Sequence, residues 1–168
     1  MMSVTFLGNP VSVNGQLPQK GEQAPEFTLC DHTLADISIE RFNGKKLVLN
    51  IFPSADTPTC ADSIRSFNEA AKTLDNTVVL CVSADLPFAL ARFVERHKLH
   101  QVSIASCFRS PEFAQSYGVA IADGALRGLT SRAVVVLDEQ RQVLHSQLVS
   151  EIADEPNYQQ AIAAAKGE

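Results

Sequence analysis

An α/β fold built on a mixed central sheet follows from three features of the sequence. Two continuous apolar runs, over 47–52 and 78–83, read as strands buried on both faces. Each is followed by an amphipathic helical pattern, the strand–helix alternation of a largely parallel sheet. The chain then closes with two strands, over 133–137 and 143–148, joined by a turn at 138–141, which calls for antiparallel pairing. At 168 residues the chain suits one domain spanning 1–168.

Taken in order, Val4, Phe6, Val11 and Val13 alternate about Gly8-Asn9 and predict an amino-terminal β-hairpin. Residues 1–18 are therefore expected to form an extension that carries no chemistry. Asn14-Gly15 and Pro18 mark a turn, 21–25 reads as a linker into a strand over 27–30, and 37–42 fits neither period cleanly. Pro53 ends the strand 47–52. Beyond a short polar loop, Ile64, Phe67, Ala71 and Leu74 recur at helical spacing, with Asp62, Arg65, Asn68 and Lys72 between them. That helix is capped by Asp56 or Thr57, and Pro58 suits its first turn, where a missing N–H costs nothing. A second helix over 87–97 is opened by Asp85 or Pro87. A strand over 102–105, a short helix over 111–117 ended by Gly118, and a helix over 157–166 complete the set.

Composition excludes several classes of function. A net charge of −5 offers no electrostatic footprint for nucleic acid or an anionic membrane. No apolar run approaches the roughly 18 residues of a membrane span, and the start MMSVTFLGNP lacks a basic leader region, so a cytoplasmic location is expected. Four cysteines are too sparse for a disulfide scaffold, and in a reducing compartment a cysteine in a special position points to catalysis. Cys30 and His32 fall short of a metal site, and His32, His97, His100 and His145 show neither triad-like nor zinc-like clustering. They read as solvated polar positions, and no metal or cofactor is expected.

The cysteine in a special position is Cys60, in the first turn of the helix that follows the polar loop. Free N–H groups and the helix dipole favour an anion there. A thiol with a pKa of about 8.5 is only about 3% ionised at pH 7, and making it mostly anionic requires roughly 3 kcal/mol. The dipole supplies about 0.3–1 kcal/mol at an exposed site, so a cation is needed as well. Arg132, just before the strand 133–137, is the candidate.

The segment PSADTPTC resembles the peroxidatic-cysteine loop of the peroxiredoxins. FLGNPVSV, NIFPSADTPTC, TVVLCVSADLPFALARF, YGVAIADG and SRAVVVLDE extend the likeness to the bacterial thiol peroxidase subfamily over nearly the whole chain. The resemblance implies a thioredoxin-like fold, a homodimer, hydrogen peroxide and organic hydroperoxides as substrates, and thioredoxin or another thiol as reductant. It implies that the Cys60 thiolate attacks the peroxide and becomes a sulfenic acid. Thr57 would stand beside the sulfur, Pro53 would shield it from water, and Arg132 would stabilise both the thiolate and the charge developing on oxygen. Phe52, Phe88 and Phe93 are the candidates for an apolar surround.

The chain departs from the subfamily at one position. Thiol peroxidases usually resolve the sulfenic acid with a cysteine just after the segment that reads here as Ala91-Arg92-Phe93, where this chain has Val94. Cys107, at the carboxyl end of a strand and expected on the same rim as Cys60, is the substitute candidate. An external thiol or a crosslink between subunits is the other route. Cys81, inside VVLCVSA, reads as core. Three rivals remain: a redox-sensing module without efficient turnover, a thioredoxin-type disulfide oxidoreductase, and a Cys-His hydrolase. Thr57, standing where a C-x-x-C pair has its first cysteine, disfavours the second, and the third needs His97 or His145 near Cys60.

Overall fold

The computed structural model describes residues 2–168. In chain order its elements are β1 (Met2–Phe6), β2 (Asn9–Asn14), β3 (Thr28–Asp31), β4 (Asp36–Ser38), a 3-10 turn (Ile39–Phe42), β5 (Lys46–Ile51), α1 (Pro58–Ala71) and β6 (Thr77–Ser83). There follow α2 (Pro87–His97), β7 (Ser103–Ser106), α3 (Pro111–Ser116), β8 (Ala120–Ile121), β9 (Ala133–Leu137), β10 (Val143–Leu148) and α4 (Tyr158–Ala165). Seven strands form the main sheet in the order β10-β9-β5-β6-β7-β3-β4, with β5, β6 and β7 mutually parallel and the other pairings antiparallel. The expected mixed sheet is therefore present.

Alternation along β5 shows why its sequence reads as an unbroken apolar run. Leu47, Leu49 and Ile51 enter the core on one face, while Val48 and, just past the strand, Phe52 enter the core on the other. Both faces are covered, so no polar face is left to alternate with. Helices α1, α2 and α4 pack on the second face through Ile64, Phe67, Leu90, Phe93, Ala161 and Ala165. On the first face lie the 3-10 turn and α3, with Ile39, Phe113 and Tyr117. Fully burying one such large side chain stabilises the fold by about 1.5–3 kcal/mol. Phe67 also meets the Tyr158 ring edge-on at 5.2 Å, which fixes α1 against α4.

The amino-terminal hairpin forms as expected, one residue earlier in its turn. Leu7 (φ 52°) and Gly8 (φ 83°) are the central pair, and Phe6 faces Asn9. Positive φ at both positions is the two-residue turn whose twist matches the strands. The hairpin gains a third strand, β8, and so makes a small second sheet, β1-β2-β8. Among the described residues no helix is long and apolar enough to cross a membrane.

Candidate active site

Strand β5 carries the chain to Pro53, and the turn 53–57 passes it into α1, whose first residue is Pro58. Cys60 is third in the helix, ahead of the first N–H to find a carbonyl, that of Ala61 on Thr57 O at 3.0 Å. The first-turn N–H groups therefore lie around the cysteine. Thr57 holds the cap position, but its hydroxyl caps nothing and instead donates to Ser54 O at 3.0 Å, closing the turn.

The strand register brings Arg132 to this point from 72 residues away. β9 runs antiparallel to β5 with Ile51 opposite Ala133, so the residue before Ala133 falls beside the chain leaving β5. The guanidinium is 2% exposed; Nη2 donates to Cys60 Sγ at 3.1 Å, Nε donates to Ile152 O at 2.7 Å, and Nη1 is buried without a partner. None of the ion pairs among the described residues involves Arg132. A buried cation without a carboxylate is costly, and the fully buried sulfur is the side-chain acceptor that faces it.

A cavity of about 250 Å³ lies against Arg132. Pro53 and Thr57 also line it, and its apolar walls are Phe6, Leu126, Leu129 and Ile152. Of the aromatic residues expected around the site, Phe52 and Phe93 pack in the same core as Cys60 without lining the cavity, and Phe88 is exposed on α2. Cys60 lies behind this lining with no surface of its own.

The protein-family model described as Redoxin matches residues 19–162. The chain belongs to the Redoxin family. A thiol peroxidase of Vibrio cholerae serotype O1 is 52% identical over 157 residues, covering 94% of this chain and 96% of that protein. Among solved structures, a peroxiredoxin-like protein from Aquifex aeolicus superposes with TM-score 0.94 at 36% identity over 99% of this redoxin and 97% of that chain. A thiol peroxidase from Chromobacterium violaceum shares the fold, with TM-score 0.92 at 23% identity over 99% and 96% of the two chains. The thioredoxin-like architecture is therefore present, and this redoxin stands among the thiol peroxidases, enzymes of the peroxiredoxin type.

The remaining thiols of the redoxin are all buried and unpaired. Cys107 follows β7 directly, on the carboxyl side of the sheet as expected, but it packs into the core opposite the one that holds Cys60. The two thiols share the carboxyl rim of the parallel strands but pack in the cores of opposite faces. Burial pushes the Cys107 thiol up to about 12, with smaller contributions from Asp85 and Glu112. Cys81 is core, as expected, and burial raises it to about 12 despite a contact from Asn50 Nδ2 at 3.7 Å. Cys30 is fully buried in β3. His145 is less solvated than expected: its Nε2 is buried without a partner, and burial, with Lys20 near, holds it below the usual imidazole value.

Two carboxylates escaped the sequence reading. Of the two residues expected to open α2 it is Pro87 that does so, after Leu86, and the Asp85 carboxylate instead accepts from Ser54 Oγ (2.7 Å), Ala55 N (2.8 Å) and Ser83 Oγ (2.7 Å), bracing the turn before α1. Glu151 accepts from Thr5 Oγ1 (3.1 Å) and from the N–H groups of Leu7 (3.2 Å), Gly8 (2.9 Å) and Ala153 (2.9 Å). These bonds, that of Ala153 first, hold it below the usual carboxylate range. The turn so fixed presents Ile152 O to Arg132 and Ala153 O to the Thr59 hydroxyl at 2.9 Å. The hairpin therefore does bear on the site, through this turn and through Phe6. Spacing could not have signalled it, because Glu151 and its hairpin partners are 143 to 146 residues apart.

Proposed function

We propose that this redoxin reduces hydrogen peroxide and organic hydroperoxides with Cys60 as the attacking thiolate. The single observation that carries the reading is the buried Arg132, whose guanidinium faces the Cys60 sulfur at 3.1 Å with no carboxylate to neutralise it. The thiolate attacks the terminal peroxide oxygen, the O–O bond breaks, Cys60 becomes a sulfenic acid, and the departing alkoxide takes a proton to leave as alcohol. Nη1, left without a protein acceptor, is available to the peroxide oxygens as charge builds on them. Pro53 closes the site to water, and Thr57, beside the cavity, positions the entering peroxide.

Regeneration falls to a thiol from outside, thioredoxin or another. Val94 offers no sulfur, and Cys107 packs in the core of the face opposite the one that holds Cys60, which supports a one-cysteine cycle over an internal disulfide. The external thiol displaces water from the sulfenic acid to form a mixed disulfide, and a second thiol releases Cys60 as the free thiol. We assign the whole of 1–168 to one functional domain, acting in a reducing compartment such as the cytoplasm. Leu86, Phe88 and Phe108, exposed in the segments that follow β6 and β7, support a homodimer.

The test is peroxide consumption followed with thioredoxin and its reductase. Repeated turnover, abolished in Cys60→Ser and kept in Cys107→Ser, is the expected result. Consumption of a single equivalent would instead favour a redox sensor, the reading that Val94 keeps alive.

A further inference from the structure

We infer that the groove between α1 and α2 binds a low-molecular-weight anionic thiol, the reductant of the oxidised Cys60; this rests on the one-cysteine cycle proposed above. The groove measures about 390 Å³, within the roughly 300–1,000 Å³ of small-molecule sites. Its lining includes Thr57 and Pro58, which also line the cavity beside Arg132. The first turn of α1 is thus a wall common to both hollows. On the groove side it continues through Ala61 to Phe93, which packs in the same core cluster as Cys60. Loosening that turn opens the sulfur toward the groove.

The charge of the groove identifies its ligand. Arg92 and Arg96 stand one helical turn apart on α2, both exposed, and neither joins any ion pair among the described residues. Like charges at this spacing weaken a helix, so the pair has no structural return. His97 adjoins them with its ring against Phe93 at 4.4 Å, and Asp56 is the one acid in the lining. Past His97 the surface continues into a second hollow lined by Lys98 and His100, where Lys72 and Arg65 are matched by Glu69 and Asp62. In a chain of net charge −5, this concentration of unanswered cations beside the first turn of α1 suits a thiol carrying carboxylates. Its sulfur displaces water from the Cys60 sulfenic acid, and a second molecule takes the mixed disulfide away as its own disulfide.

Glutathione and its diethyl ester, the same thiol with both carboxylates masked, are the probes. Steady-state kcat/KM for the full-length protein is measured with each and with thioredoxin, beside the reductant-free rate at which peroxide oxidises Cys60. The ratio of glutathione to ester is expected to be roughly tenfold, the worth of two exposed charge contacts. It falls toward one in high salt and in Arg92→Gln/Arg96→Gln, and is restored in Arg92→Lys/Arg96→Lys. A ratio near one in the unaltered protein, a ratio the glutamine variant does not change, or reduction by thioredoxin alone overturns the assignment. Failure of peroxide to oxidise Cys60 at all would instead overturn the one-cysteine reading beneath it, and this assignment with it.

Discussion

At Arg132 the guanidinium makes two bonds in different directions, to Ile152 O and to Cys60 Sγ, and holds a third edge free. A lysine ammonium at the end of a flexible stem cannot reproduce that fork. Arg132→Lys is therefore expected to slow peroxide oxidation of Cys60 by about 10²–10³-fold, the usual cost of losing a donor aimed at developing charge. Stopped-flow oxidation without reductant measures it, and an unchanged rate would remove Arg132 from the mechanism. The residues of this site were legible in sequence because each stands at a break in pattern. Pro53 ends an apolar run, Cys60 opens a helical one, and Arg132 precedes another strand. What the pattern could not reveal is the free Nη1, which depends on the absence of any carboxylate at that depth.

Among the elements, the β1–β2 hairpin is held to the turn after β10 by Glu151, which accepts from three hairpin groups and from Ala153. That turn orients both Arg132 and the start of α1. In Glu151→Gln an amide donor replaces one acceptor oxygen and confronts N–H groups that it cannot bond. The expected outcome is a loss of about ten- to a hundredfold in peroxide kcat/KM, since a displacement of about 1 Å is worth that much. Thiolate absorbance titrated against pH in the same variant reads the displaced guanidinium directly; a merely structural role would leave that titration in place. The extents of α2, β9 and β10 followed from sequence to the residue, because Pro87, Arg132 and the 138–141 turn punctuate buried runs. β8 is two residues long and has no periodicity to read. Spacing puts Cys107 on the side of Ala105, two positions before it, but does not say that α1 and Cys60 pack on the other face.

Across the whole molecule, the two-faced core sets how stability responds to alkali. Cys81 and Cys107 have an ordinary value near 9.0 and are pushed to about 12 by burial. Between those values the unfolded chain has released both protons and the folded chain has kept them, so stability falls as pH rises. The slope approaches about 1.4 kcal/mol per pH unit for each thiol. Tyr117, also raised by burial, adds to the loss above its own ordinary value of 10.0. Denaturant midpoints measured between about pH 9 and 11 should fall steadily, and Cys107→Ala should make that fall shallower, by about half below pH 10, where the tyrosines do not yet contribute. A flat profile would mean that neither thiol is as enclosed as its packing indicates. Full enclosure of the Cys60 sulfur has a different kind of result. With none of its surface open, the sulfur meets a partner only when the chain around it moves, so admission comes before reactivity for oxidant and thiol alike. Bystander thiols in the cell are thus sorted ahead of any bond-making.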